Sequence, residues 1–460
     1  MQYGGGLTEH HDNAAGKIIL AVTLAVFSGL VARAALTDPG HAILVGIIVL
    51  LVTLWTNEGL SLGVVSLLPL MLFPGFDILS LKVTSTYYAN PIIFLFLGGF
   101  MLAIAVQKTG LHQFLAQLML PRHAKTVRSI IFSLGLVAAV LSSLLSNTTT
   151  ALLLLPVAIF LSDERVFQAR FVLAIAYGAS IGGIITPIGT PPNLILMGFL
   201  ESRELQAITF VNWMFLTMPL AIIMLVIMPW VLCLGLPQKH HKFDIHEEKP
   251  HMTAEQRKLS YILIGLGLLL LLNSRIEPWY GGLGLNDKLI MLGFGLLMFV
   301  PGINLLAWKD TRSIPYEIIF LFGAGFSIAG ALVDSGLAAV IAESLQAFSQ
   351  LHPFLLILLV ATLITFSTEV TSNTALVSLA VPIIYSLGEL AEISTVLILM
   401  VATICGSYAF MLPIATPPNA IAMSSGALKV KEMMKLGLMF NFLGITLVTL
   451  TAWFFWRSFL

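Results

Sequence analysis

Charged side chains are scarce in this sequence. Asp, Glu, Lys and Arg make up 10% of its residues, where an ordinary soluble domain carries roughly 25%. A soluble chain of this length needs far more polar surface to cover its cores, so that class is excluded. Cysteine is nearly absent: Cys233 and Cys405 both fall in apolar segments and read as small core residues. No cluster of metal ligands is visible, and the formal net charge of zero points to no nucleic-acid or acidic partner. The short alternating segments of a membrane β-barrel are missing as well.

What the chain has instead is apolar length. Hydrophobic residues make up 58% of it, and they gather in runs near ~20 residues, the length a helix needs to cross a bilayer. The sequence therefore predicts an all-α polytopic membrane protein. The polar start, Met1 to Gly16 with His10 and His11, lacks the basic stretch and small-residue cleavage site of a signal peptide. The first apolar run, 17–36, is read as a retained span.

Eleven spans and two half-crossing hairpins are expected. Spans one to four cover 17–36, 41–56, 59–74 and 90–107. A hairpin follows at 128–160, where Ser142 to Thr150 interrupt an apolar stretch. Span five, 170–200, is interrupted at Gly189 to Asn193, and span six covers 210–236. The polar stretch 237–258 is the natural linker. Spans seven to nine cover 259–273, 284–302 and 315–333, and a second hairpin covers 353–386. Span ten, 393–425, is interrupted at Ala415 to Asn419, and span eleven covers 433–456. Cytoplasmic loops are enriched in Lys and Arg. This count puts seventeen of the twenty-three basic residues on one side and leaves Arg33, Lys82, Arg203, Arg275, Lys288 and Arg457 on the other. The N-terminus is thereby placed in the cytoplasm and the C-terminus in the periplasm. The histidines outside the spans, among them His112, His123, His251 and His352, are expected at solvated surface.

The sequence aligns with itself at one constant offset of 226 residues. Ile93-Phe94-Leu95-Phe96 matches Ile319-Phe320-Leu321-Phe322, Ser146-Asn147-Thr148 matches Ser372-Asn373-Thr374, and Thr190-Pro191-Pro192-Asn193 matches Thr416-Pro417-Pro418-Asn419. Pro156 pairs with Pro382 and Pro187 with Pro413. Chance likeness between apolar helices would not keep one register through Gly, Pro and Asn. Each unit holds five crossings, an odd number, so the second copy is inverted relative to the first. Inverted repeats are a common ground plan of secondary transporters. The expected units are 1–40 (tail and extra first span), 41–236 (first repeat), 237–258 (linker) and 259–460 (second repeat).

The polar motifs lie where an unbroken membrane helix could not hold them. Thr-Pro-Pro-Asn removes backbone donors and breaks a span, and Ser-Asn-Thr marks a turn at membrane depth. Irregular backbone is tolerated there only inside protein or along a cavity. Two hairpin tips and two broken spans are therefore expected to meet near the midplane. Helix N-termini offer N–H groups and partial positive charge to a carboxylate, with Asn147, Thr148, Asn373 and Thr374 adding donors. Unwound carbonyls offer hard oxygen ligands to a small cation, and Ser142 and its partner Thr368 could complete such cages. The symmetry predicts two cation sites flanking one anion with two negative ends. No Lys or Arg falls in the four motifs. The one acid close to them in sequence is Glu369, whose repeat partner is Ser143, so a structural or cavity-edge role is expected ahead of a proton relay. Gly98, Gly99, Gly323 and Gly325 are read as helix-packing positions. An intramembrane enzyme would need a nucleophile–base pair or metal ligands at depth, and no His or Asp pair lies in any span interior.

With these motifs in hand, the sequence resembles the divalent anion–sodium symporter family, and within it the bacterial INDY-type dicarboxylate transporters. The paired Ser-Asn-Thr and paired Thr-Pro-Pro-Asn elements carry the resemblance, which extends over nearly the whole chain. It implies a homodimer in the inner membrane, each protomer with a scaffold domain and an elevator-type transport domain. It implies import of C4-dicarboxylates such as succinate, malate and fumarate, with Na+ as coupling ion at two or more sites and no organic cofactor. Carried over by position, substrate would meet Asn147, Thr148, Thr190, Pro191, Asn373, Thr374, Thr416 and Pro417. The first sodium would be held by Ser142, Ser146, Asn147 and Gly189, and the second by Thr368, Thr371, Asn373 and Ala415. Gly189 and Ala415, and Leu145 and Thr371, differ between the halves, which backbone carbonyl ligands tolerate. The family also includes sulfate and citrate carriers and exchangers without sodium coupling.

Overall fold

The computed structural model describes residues 6–119, 123–124, 126–205, 207–236, 243–244, 251–274, 280–391 and 393–460. Its helices start and stop where the chemistry requires. The second crossing, Pro39–Asn57, opens with Pro at its first position, where a missing N–H is harmless, and the Asp38 carboxylate accepts the Gly40 N–H at 2.7 Å. The fourth, Pro91–Thr109, repeats the device with Asn90 on the Ile92 N–H at 3.0 Å and ends at Gly110, φ 71°. The seventh, Ala254–Asn273, opens with a reciprocal Thr253–Gln256 capping box. That cap lies inside the expected linker 237–258, so the linker ends five residues early. Most of the linker lies outside the described residues. Within it, Phe243–Asp244 pairs antiparallel with His123–Ala124, a two-residue strand contact that the sequence did not suggest.

Among the described residues, eight helices are long and apolar enough to cross a membrane. They include Asn373–Leu390 of the second expected hairpin and leave out the expected spans three, seven, eight and ten, of which the third and eighth are too short. The third runs 62–75 in two pieces joined at Leu68, just ahead of Pro69, and the eighth is the eleven-residue helix Asp287–Leu297. At about 1.5 Å per residue neither reaches the ~30 Å of a bilayer core. Pro301 and Gly302, at φ 93°, follow the eighth and prevent its continuation. These two short helices occupy matching repeat positions. So do Leu81–Tyr87 and the 3-10 turn Trp308–Ser313, as well as Leu111–Met119 and Leu337–Ser344. The offset seen in the motifs thus recurs in the helices between them, with the first span outside the repeat.

Small residues set the closest crossings. A Cβ on Gly98 would stand 2.3 Å from the Met291 carbonyl oxygen, and one on Gly295 would stand 2.8 Å from the Gly98 Cα. Gly323 lies against the Tyr88 ring, Gly325 against Ser378 and Gly99 against Ile188. All four glycines read as packing positions from the sequence are such positions in the structure, in keeping with small-residue packing of membrane helices. Helix Arg165–Gly183 lies backbone to backbone on Val127–Ser142: a Cβ on Gly178 would meet the Gly135 oxygen at 2.5 Å, and one on Gly182 the Ala139 Cα at 2.3 Å.

A smaller apolar cluster around Leu44, Leu51, Leu54, Phe73, Leu321 and Ile328 joins the early spans to Tyr316–Asp334, while a larger one unites the hairpins, the broken spans and the last helix. Ion pairs add to this packing. Arg203 pairs with Asp334 at 3.0 Å, and Glu201 pairs with Lys288. Asp310 accepts the Ala307 N–H and pairs with Lys108 at 2.6 Å; these two interactions hold its carboxyl below the usual carboxylate range. Two basic or titratable residues are more buried than expected. Arg170 pairs with Glu432 at 2.9 Å in the interior. His112 is buried, its Nδ1 at 3.0 Å from the Val106 oxygen, because the short amphipathic helix it opens folds back on the bundle.

The glycine contacts make a direct prediction. Gly178→Ala should overpack the hairpin crossing and cost about 1–3 kcal/mol, read as a lower unfolding midpoint in detergent. Gly265→Ala, with nothing within 4 Å of its added Cβ, should leave the midpoint unchanged. Equal behaviour of the two variants would contradict the backbone contact.

Candidate functional site

Each hairpin is two helices joined by a short turn: Val127–Ser142 with Asn147–Phe160, and Pro353–Thr368 with Asn373–Leu390. Each broken span is likewise two helices: Arg165–Gly183 with Pro191–Ser202, and Thr395–Gly406 with Pro417–Ser424. The second piece of each broken span packs on the hairpin of the opposite half. Pro417–Ser424 lies against Asn147–Phe160, and Pro191–Ser202 lies against Asn373–Leu390. This exchange brings the four interruptions together.

They line one open cavity of about 1230 Å³. Its wall includes Ser146, Asn147 and Thr148 and their counterparts Ser372, Asn373 and Thr374. Gly189, Thr190, Pro191, Ala415, Thr416 and Pro417 line it too. Asn147, Pro191, Asn373 and Pro417 are each the first residue of a helix, so four helix N-termini meet one space. Among the described residues, none lining the cavity is Lys, Arg or His. The facing wall is built from Trp55–Leu62, Phe96–Ala103 and Glu317–Leu321. Glu58 and Glu317 stand in that wall, two exposed acids that no sequence motif marked.

Ser142 and Thr368 are fully buried behind the wall. Ser142 Oγ donates to Asn147 Oδ1 at 2.5 Å, and Thr368 Oγ1 donates to Asn373 Oδ1 at 2.6 Å. The same hydroxyl–amide pair thus appears twice at the repeat offset. In the first half Gly183 leaves room for it, since a Cβ there would lie 2.8 Å from Asn147 Oδ1, and Gly189 packs on Gly183, where a Cβ on Gly189 would stand 2.4 Å from the Gly183 oxygen. Two expected cation ligands point elsewhere with their hydroxyls. Ser146 caps its helix, accepting the Thr149 N–H at 3.2 Å and sharing a 2.8 Å bond with Thr149 Oγ1. Thr371 bonds back to the Ser367 oxygen at 2.9 Å. Thr416 caps its helix through the Asn419 N–H, whereas Thr190 makes no such cap. The oxygen-only donor set of each half fits a hard monovalent or divalent cation.

The Asn of each Thr-Pro-Pro-Asn has a task that the sequence did not disclose. Asn193 Nδ2 donates to the Gly183 oxygen at 3.0 Å and the Thr186 oxygen at 2.9 Å. Asn419 Nδ2 donates to the Ala409 and Leu412 oxygens, both at 3.0 Å. Both asparagines are fully buried, and each closes its break by bridging the same two repeat-related carbonyls. Their position in a doubled motif was the available signal. Glu369, 3% exposed, does not line the cavity. Its carboxylate accepts backbone N–H groups of the second break, a structural role.

An all-helical membrane bundle, duplicated and inverted, with its helix breaks around one central cavity, defines a membrane transporter rather than an enzyme. The family model described as "Citrate transporter" matches residues 47–406, and the chain belongs to that family. It is similar to the "Sodium-dependent dicarboxylate transporter SdcS" of Staphylococcus saprophyticus, with 28% identity over 471 residues, 95% of this chain and 90% of the relative. The protein of the same description from Staphylococcus aureus strain NCTC 8325 / PS 47 is 29% identical over 449 residues, 89% of this chain and 86% of the relative. Among solved structures, the YdaH transporter of Alcanivorax borkumensis superposes with a TM-score of 0.55 at 17% identity, covering 82% of this chain and 90% of that one. MtrF of Neisseria gonorrhoeae, described with a class of antimetabolite efflux pumps, gives 0.55 at 16%, covering 81% and 83%. At that identity the two structures share a fold with this chain and nothing further.

The staples carry a prediction. Asn193→Ala or Asn419→Ala takes the amide donor from two buried carbonyls, one of which (Thr186 or Leu412) keeps only its backbone turn partner, which should cost about 1–3 kcal/mol and lower the unfolding midpoint by similar amounts in the two variants. A midpoint equal to wild type in either would show that the break does not depend on its amide.

Proposed function

We propose that the protein is a sodium-coupled symporter that imports a C4-dicarboxylate, such as succinate, malate or fumarate, across the bacterial inner membrane. The observation that carries this reading is the meeting of four helix N-termini around a cavity that, among the described residues, has no basic side chain. An anion there is held by helix dipoles and N–H groups and by the charge of bound cations. The two relatives named as sodium-dependent dicarboxylate transporters support both the ion and the substrate class.

In this reading one carboxylate lies at Asn147 and Thr148, the other at Asn373 and Thr374, with Thr190, Pro191, Thr416 and Pro417 lining the space between them. Sodium one takes Ser142, Ser146, Asn147 and Gly189; sodium two takes Thr368, Thr371, Asn373 and Ala415. Each hydroxyl now donating to an Asn oxygen would turn its lone pair toward the ion. Ser146 and Thr371, whose hydroxyls are engaged, would serve through backbone oxygens. The crossed packing of hairpins and broken spans supports a single transport body. It would slide as an elevator against a scaffold that includes 55–62, 96–103 and 317–321, in a homodimer. With the N-terminus cytoplasmic, the loop at 58–61 and the start of the ninth span put the cavity mouth on the inner face. The family description keeps citrate as a second reading, and the cavity volume has room for a third carboxylate.

In proteoliposomes, succinate uptake should require an inward sodium gradient and stop when potassium replaces sodium. Asn147→Ala and Asn373→Ala should each reduce uptake to background, since each residue serves ion and substrate. Uptake indifferent to the cation would leave exchange in place of symport, and wild-type rates in both variants would move the site elsewhere. Citrate competing better than succinate would transfer the assignment to the tricarboxylate.

A further inference from the structure

The two helix breaks, related by repeat, are held by opposite chemistry. In the first, the chain closes on itself: Ile185 N bonds the Gly182 oxygen at 3.0 Å and Gly189 N bonds the Thr186 oxygen at 3.2 Å. Its carbonyls then receive donors from outside, Trp213 Nε1 on Ile184 at 2.9 Å and Thr217 Oγ1 on Ile185 at 3.2 Å. In the second, Ala415 N repeats the later turn on the Leu412 oxygen at 3.2 Å, but in the irregular strand of chain ahead of it, 408–412, backbone N–H groups point outward to a carboxylate. Glu369 Oε1 accepts from Phe410 N at 2.8 Å and Met411 N at 2.9 Å, and Oε2 accepts from Leu412 N at 3.0 Å. Asn441 Nδ2 adds a fourth donor at 2.7 Å to Oε1. The strand's carbonyls are held from its other side. Thr368 Oγ1 donates to the Gly406 oxygen at 2.9 Å and Tyr177 OH to the Phe410 oxygen at 2.9 Å, while Asn419 takes Ala409 and Leu412.

No such arrangement exists at the mirror position. Ser143 stands where Glu369 stands, and its hydroxyl turns back to the Val140 oxygen at 2.8 Å. Trp213 and Thr217 correspond to Met439 and Leu443, which have no side-chain donor to offer. Both breaks share one self-bonded turn, and only the second adds an irregular segment suspended from a buried acid.

We propose that Glu369 is a positioning residue for the second sodium, and that the two cation sites are unequal because only the second hangs on a carboxylate. This inference rests on the symport reading above. Glu369 lies between Thr368 and Thr371 in the chain, and the strand it holds runs on to Ala415, so one side chain sets the spacing of the proposed ligands from both elements. Its hydrogen bonds are charge-assisted, the stronger class. Glu369→Gln keeps the volume but turns an amide NH2 toward backbone N–H groups, donor against donor, and the strand must shift.

The test uses the purified full-length protein. In detergent, rising sodium should raise the wild-type unfolding midpoint through ligand linkage. Glu369→Gln should need about tenfold more sodium for the same rise, the scale of a hydrogen bond to a charged group. In proteoliposomes its half-saturating sodium for succinate uptake should rise in step and the sodium cooperativity should fall, with the succinate KM at saturating sodium close to wild type. Asn441→Ala, which removes one of four donors, should shift sodium in the same direction by less. Ser143→Ala should not shift it. If Glu369→Gln fails to fold, Asn441→Ala decides. Variants with wild-type sodium dependence, or a shift in Ser143→Ala equal to theirs, overturn the assignment while leaving symport intact. A wild-type protein indifferent to sodium in both assays overturns the symport reading itself.

Discussion

A polar backbone group inside a bilayer has no water to bond, and each one left unpaired there costs several kcal/mol. This constraint shapes the centre of the molecule. Two spans are broken by prolines, and every break frees N–H and C=O groups that protein must satisfy. Asn193 and Asn419 each bridge two carbonyls across a break. Trp213 and Thr217 cap the first break from the neighbouring helix, and Glu369 gathers the N–H groups of the second. Without these partners the chain would gain by re-forming helix and the cavity would close.

Once the breaks are stable, their freed termini become the site. Inversion of the repeat aims the hairpins from opposite faces, and the crossed packing of the broken spans puts all four helix starts on one wall. Among the described residues the cavity has no basic side chain, so an anion held there would rest on dipoles, amides and hydroxyls. These weaker elements suit a carrier, which must release what it binds.

Much of this was legible in the sequence because the signals were doubled. Ser-Asn-Thr and Thr-Pro-Pro-Asn recur at one offset, and a break that occurs twice in register is hard to mistake for a stray polar residue. The spans followed from the apolar runs, and their interruptions from the paired polar motifs. What could not be read depended on contacts distant in the chain. Nothing local says that Asn193 reaches back ten residues, that Glu369 meets a strand some forty residues away, or that Glu58 and Glu317 face the same cavity. His112 sits at a loop-like position in the chain and is buried by a helix folding back. The third and eighth spans have enough apolar residues for a full crossing, yet Pro69 and Pro301-Gly302 shorten them.

The backbone contact between the first hairpin and its broken span has a mechanical sequel. Gly135, Ala139, Gly178 and Gly182 leave no side chain between the two helices, so nothing there can repack and the pair forms a stiff plate. Their counterparts, Ala361, Thr365, Ile404 and Tyr408, are mostly larger, so duplication did not carry the plate into the second half.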